Sequence, residues 1–575
     1  MNAYEKQIRR ALRRKKAAPC IPENSYFLSR VAKAASAAIE KNISARAFTA
    51  PPPHIPGDFM LVLTPEGASH AAQALSGEVP FIARGEAQGA FLNLFLNRDA
   101  VYGEVLTEVL EQGNRYGTTA GDGTPVIVEY SSPNIAKPLG VNNLRSTLIG
   151  ESVARLHEYT GRAVLRDNYL GDWGQQFGKL LCAYELWGDR RKIRKNPVPE
   201  LKELYVEFEK RAAEDPSLEE KARALAQRLE TGDRHLTALW KKFRTLSIRD
   251  FKKMYGRFGI SFDAYGGEHF FVEEGKRAAE ACLAKNVCTR GEGGAVVAEF
   301  PELPGFILMR SDGATLYHAR DLAQLAFRTQ ELKVRDIRYI VGGEQTLYFR
   351  QLFELAKRIG FMAGSEALHV GFGLVLAEGK RMSTRRGTSV EVAELLERAT
   401  EKAREVIAAK SPDVSPRERE AIAEAVGIGA IVYNDLHQSR ERDISFDWEK
   451  MLNVEGGSAV YLQYTHARIL SLLAKVGGAQ SAKPIFKEGE EYFLARELAI
   501  FPFVVSRAAE HDAPHMVAGY LERVAGLFNT FYGKVNVSGT ADPALRASRL
   551  TLSKAAGQVL KNGLWLLNVP LPQRL

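Results

Sequence analysis

Val126, Ile127 and Val128 form an apolar run that stops at Glu129, and Ser131, Asn134, Lys137, Asn142 and Asn143 follow closely. Pro133 and Pro138 forbid continuation of the strand, and helical spacing begins near Leu144 and Leu148. Asn142 and Asn143 therefore fall near a helix N-terminus, where unpaired N–H groups and the helix dipole favour an anion. A strand, a tight turn and a helix start suit ATP. Two further polar candidates stand far along the chain: Asp321 after TLYHAR and Gln345 after IRYIVGGE. With Glu129 they lie at or just past the carboxyl ends of predicted strands, where open α/β sheets place ligands. Singly, each has a plainer account: Asp321 as a helix cap, Glu129 as a strand-end charge, Tyr317 as a packed ring. The string GKRMSTRRG at 379–387 is basic enough to neutralise phosphate, although alone it would be a surface turn.

The positioning elements are those of an α/β protein. VIVEYSS, AVLRDNYLGD, FILMRSDG (306–313), IRYIVGGE (337–344) and LHVGFGLVL (368–376) read as strands of a Rossmann-like, doubly wound parallel sheet, with helices after the third and fourth expected near Arg320 and Thr346. The charged helical stretch at about 188–300 looks inserted between two halves of that sheet. Residues 25–118 read as a small N-terminal α/β domain, 119–454 as the sheet domain and 455–575 as an all-helical bundle. In the bundle Tyr461, Tyr464, His466 and Arg468 have the chemistry to meet RNA bases, but helical spacing makes Tyr461, Leu462, Thr465 and Ile469 core.

Composition narrows the class. A chain of 575 residues with 78 basic and 69 acidic side chains carries +9, which leans toward a polyanionic partner. The four cysteines contain no C-x-x-C pair and point to reduced thiols in a cytoplasmic setting. No apolar stretch is long enough to span a bilayer, and neither H-E-x-x-H nor G-x-S-x-G occurs. A metalloenzyme or serine hydrolase is thereby disfavoured. Residues 1–24, with MNAYEKQIRRALRRKKAAP, lack a secretory core and read as a solvated basic extension; an organellar transit peptide is the alternative.

Ser131 to Pro138, the following LRST, the trio SSPN, LYHARD and GGEQ, and the GKRMSTRRG string together resemble class I arginyl-tRNA synthetases across almost the whole chain. GAFLNLFLN and EVLEQGNRYG are similar to that family's extra N-terminal, tRNA-contacting domain, and the helical tail to its anticodon-binding domain. The resemblance implies a ligase that activates L-arginine with ATP and Mg2+ and passes it to tRNA(Arg), as a cytoplasmic monomer without a membrane. It assigns Glu129, Ser131, Asn134, Tyr317, Asp321 and Gln345 to arginine. Pro138, Gly140, Asn143 and Met382 go to ATP, and Lys137, Asn142, Asn143, Arg381 and Ser383 to catalysis. Carboxylates facing a planar guanidinium would separate arginine from lysine. Gly140, Asn142 and Asn143 replace the family's His, Gly and His. A neutral amide is a weaker donor than an imidazolium, so a rate deficit of about tenfold to a hundredfold is expected. The competing reading is a catalytically impaired, synthetase-derived tRNA-binding protein.

Overall fold

The computed structural model describes every residue except 1, 18–19, 50, 52–54, 76–78, 378–379, 382–389, 411–414, 477–483 and 573–575. Its centre is a parallel sheet of five strands in the order Glu366–Phe372, Asp336–Gly342, Pro125–Glu129, Ala163–Leu170, Ala264–Gly267. Val126, Ile127 and Val128 are fully buried, because helices cover both faces of a parallel sheet and leave no polar side. Register matters for the chemistry: Glu129 pairs with Asp167 on one side and with Tyr339 on the other, so these three side chains share one face of adjacent strands.

Two expectations are corrected. Ala264–Gly267 is the fifth strand of the main sheet, so the helical insertion ends with the helix Arg234–Arg257 rather than near residue 300. Four residues ending in two glycines carry too little alternation to register as a strand. Phe306–Met309, expected in the main sheet, instead pairs antiparallel with Val296–Ala298 in a separate three-stranded sheet. Its apolar run resembled a buried strand, yet Ile307 is 41% exposed on this surface sheet.

The N-terminal module is an antiparallel sheet of Phe59–Val62, Phe91–Leu96 and Ile82–Gln88 with three helices, Phe27–Ala38, Pro65–Ala74 and Arg98–Gln112. Helices dominate from Val392 onward, and their last members fold back on the rest of the chain. Tyr116 donates to the carbonyl of Leu498 and Ser152 to that of Leu566. Tyr461 is half-buried in this bundle, whereas Leu462, Thr465, His466 and Ile469 are buried, as helical spacing requires. Among the described residues no helix is long and apolar enough to cross a membrane.

The first residues are not a solvated extension. Ala3–Arg14 is a helix whose Tyr4, Ile8 and Ala11 are buried, one face in three turns, while Arg10, Arg13 and Arg14 stay exposed. Gln7 accepts a hydrogen bond from the Tyr265 backbone N–H at the edge of the main sheet. The cluster of basic side chains obscured this apolar stripe.

Candidate active site

The chain leaves the strand Pro125–Glu129 through a loop in which Ser131, Ser132 and Ala136 adopt positive φ (72°, 43° and 62°). Left-handed backbone in non-glycine residues is costly and persists only where neighbours hold it. Here the Ser131 N–H donates to Ser146 Oγ, its hydroxyl is bonded to Tyr255 and accepts from Thr147, and its carbonyl accepts from the Asn143 amide at 2.9 Å. The Ser131 side chain is thus spent on the loop. The helix that follows starts at Val141, three residues before the expected Leu144, with Gly140 as a cap that offers no side-chain acceptor. Asn142 and Asn143 sit in its first turn, where backbone N–H groups lack intrahelical partners.

Beside this helix start lies a cavity of about 360 Å³ lined by Glu129, Asn134, Asn142, Asn143, Tyr317, Asp321 and Gln345, together with Ser131. Eight residues singled out from widely spaced segments of sequence thus meet in one place. Asn134 reaches the cavity because Gly171 has no side chain: a Cβ there would fall 1.9 Å from Asn134 Oδ1. The helix Tyr317–Ala326 begins early enough for Tyr317 and Asp321 to share a face. It continues into a π-helical turn, Phe327–Glu331, that carries Arg328.

The cavity is acidic. Glu268 and Glu344 join Glu129 and Asp321 in lining it, and no Lys, Arg or His is among its described lining residues. Burial raises the Asp321 carboxyl to about 7, reinforced by the charge of Glu268 and offset by the hydroxyl that Tyr348 donates. Glu129 is pushed up to about 7 by burial, against the pull of Arg328, whose Nη2 lies 2.5 Å from Glu129 Oε2. Gln324 donates to the same oxygen at 3.0 Å. Glu268 is also raised by burial, although Arg320 pairs with it at 2.6 Å. Glu129 and Asp321, whose buried carboxyls are pushed up to about 7, form a receptor for a cation that brings its own charge.

Several expected residues lie elsewhere. Lys137 stands over the Tyr205 ring, 4.2 Å from its centroid, and lines a separate cleft with Phe177 and Leu180, so this conformation does not direct its charge at the cavity. Its backbone follows the left-handed Ala136, which turns the side chain to the insertion helices. Pro138 and Gly140 shape the approach to the helix but do not line the cavity. Arg381 ends the two-residue strand Lys380–Arg381; Met382 and Ser383 lie outside the described residues. Near the same sheet end, Asp172 Oδ2 accepts from Arg244 at 2.7 Å and is bonded to His269 Nδ1 at 2.7 Å, fastening the insertion to the sheet.

Sequence reasoning missed Glu268, Tyr169, Tyr348, Gln324, Asp167 and Arg328. Gln324 and Arg328 follow Tyr317 and Asp321 at helical spacing, so that signal was present in the chain. Tyr169 lines the cavity with a buried hydroxyl that has no hydrogen-bond partner among the described residues, and nothing in its local sequence announces this.

The chain is similar to known proteins over most of its length. Residues 105–448 match the model of the class I (R) tRNA synthetase catalytic domain, and 462–575 the DALR anticodon binding domain. An arginine–tRNA ligase of an Exiguobacterium species is 40% identical over 88% of this chain and 90% of its own. That of Chloroflexus aggregans is 39% identical over 92% and 95%. The solved arginyl-tRNA synthetase of Thermus thermophilus superposes with a TM-score of 0.80 at 25% identity, covering 96% of this chain and all of that one.

Proposed function

The chain belongs to the class I arginyl-tRNA synthetase family, and from that premise we propose that it is an ATP-dependent arginine–tRNA ligase. The arginine α-carboxylate attacks the α-phosphorus of ATP, an O–P bond forms, and pyrophosphate leaves. A hydroxyl of the terminal ribose of tRNA(Arg) then attacks the adenylate carbonyl and AMP departs. The carrying observation is a cavity lined by four carboxylates and no described basic side chain, set against the first helical turn at Asn142 and Asn143.

In this reading Glu129, Asp321, Tyr317, Asn134 and Gln345 take the amino acid. Lysine's point charge cannot satisfy planar acceptors as a guanidinium does, and a wrong substrate leaves buried carboxylates unpaired, so selection needs no editing step. Tyr169 adds a donor for the substrate. Ser131 acts through the loop that it holds. The N–H groups at the helix start, with the Asn142 and Asn143 amides, receive phosphate oxygens as charge builds. Arg381, Met382 and Ser383 belong to the segment that would complete the triphosphate seat together with Pro138 and Gly140, and Lys137 can join it only by leaving Tyr205. Mg2+ enters as the counterion of ATP; among the described residues no group of three His, Cys, Asp or Glu suits a metal, and none is assigned to it. The N-terminal module and the helical tail would hold tRNA, with the protein acting as a monomer in the cytoplasm.

The test is arginine-dependent exchange of pyrophosphate into ATP with tRNA present. Exchange that requires arginine and is not supported by lysine is the expected result. Tight tRNA binding without exchange would instead mark a decayed synthetase.

A further inference from the structure

We propose that the N-terminal helix sets arginine affinity from behind the pocket, with Tyr4 as the positioning residue that keeps the Arg328 guanidinium on Glu129. This rests on the reading that the cavity binds arginine.

Tyr4 does not line the cavity; it lies one layer beneath, fully buried among the rings of Phe270, Phe271 and Phe327. Its hydroxyl donates to Asp167 Oδ2 at 2.5 Å and accepts from Arg328 Nη2 at 3.3 Å. The same Nη2 lies 2.5 Å from Asp167 Oδ2 and 2.5 Å from Glu129 Oε2. One guanidinium nitrogen is therefore shared by two carboxylates that sit side by side in register on adjacent strands. Among the described residues Arg328 Nε and Nη1 have no hydrogen-bond partner, and neither does Asp167 Oδ1.

This arrangement is a competition. Two buried carboxylates draw on one guanidinium nitrogen, and the Tyr4 hydroxyl is the only other donor on Asp167 among the described residues. By satisfying Asp167 in part, it lets Arg328 remain on Glu129. Burial raises the Tyr4 phenol, so it keeps its proton and stays a donor. Without the hydroxyl, Asp167 retains a single partner and draws Arg328 toward itself, because an unpaired buried carboxylate is costly. Glu129 then loses its cation, spends more time protonated, and offers less to a cationic substrate. A residue near the start of the chain thereby acts on a carboxylate at the end of the first sheet strand.

Tyr4→Phe in the full-length protein is the test, since it keeps the ring and removes only the hydroxyl. Pyrophosphate exchange with tRNA should show KM for arginine rising about tenfold, as expected for a lost hydrogen bond to a charged group. KM for ATP should stay within twofold. Gln7→Ala loosens the same helix at its Tyr265 contact without touching Arg328, and should leave KM for arginine unchanged. The positioning role is overturned if Tyr4→Phe leaves KM for arginine within twofold, or if Gln7→Ala raises it equally. Wild-type protein that exchanges pyrophosphate with arginine while Tyr4→Phe matches it removes this inference alone; wild type that shows no arginine-dependent exchange removes the ligase reading as well.

Discussion

At the proposed amino-acid end of the cavity the polar groups are side-chain carboxylates, of which Glu129 is braced from behind by Arg328 and Gln324, Glu268 by Arg320 and Asp321 by Tyr348. At the proposed triphosphate end the described groups are backbone N–H donors and two asparagine amides, held by a loop that is itself pinned through Ser131. The contrast follows from what each must recognise. A guanidinium is planar and needs acceptors at fixed angles, so it demands rigid, buried side chains. A triphosphate is mobile and changes charge distribution during reaction, so preorganised dipoles serve it at low reorganisation cost. The first kind of site fails when one atom is changed; the second tolerates substitution so long as the loop keeps its shape.

That difference sets the order of expected effects. Asp321→Asn removes a carboxylate that the proposed pocket offers to the arginine cation and disturbs the Tyr348 donor, so KM for arginine should rise about a hundredfold or more with KM for ATP nearly unchanged. Steady-state exchange kinetics with each substrate varied would decide it, and a loss confined to ATP would reverse the assignment of the two ends. Asn143→Ala strips the Ser131 carbonyl of its donor and loosens the left-handed turn; kcat for exchange should fall about tenfold with KM for arginine unmoved.

Acidity probes the first end alone. Glu129 and Asp321 titrate near 7. Between pH 6 and pH 8 they become ionised, and arginine binding followed by calorimetry at constant ionic strength should tighten by about tenfold. The sign for the free protein is opposite. A carboxyl whose folded value lies above its ordinary one contributes stability that is complete below that ordinary value and is lost as pH rises through about 7. Arginine should therefore raise the thermal midpoint more at pH 8 than at pH 6; an equal shift at both would mean that these carboxyls do not face the ligand. The smallest effect is expected at Lys137, where replacement by Ala should cost less than about threefold in kcat, since its ammonium lies over the Tyr205 ring in a cleft apart from the cavity. A loss of a hundredfold would place the lysine on the phosphates during turnover.

Much of this site could be read along the chain because its residues belong to local patterns. Val126–Val128 ended by Glu129, the prolines at 133 and 138, and the helix carrying Tyr317 and Asp321 each declare themselves over a dozen residues or fewer. What escaped was nonlocal. Ala264–Gly267 becomes a strand only because Ala163–Leu170 offers it an edge, and Glu268 enters the cavity as the next residue. Tyr4, Ile8 and Ala11 looked incidental among arginines until the sheet supplied the surface that buries them.

Composition, hydrophobic period and the punctuating prolines determined the element types, the parallel character of the sheet and the segments that carry polar groups, because those depend on interactions within a few residues. Only the tertiary structure decided which carboxylates share a cavity, which groups brace Glu129, Glu268 and Asp321, and that the Lys137 ammonium lies over Tyr205. Those outcomes turn on strand register and on burial, and both arise from contacts between residues that are remote in the chain.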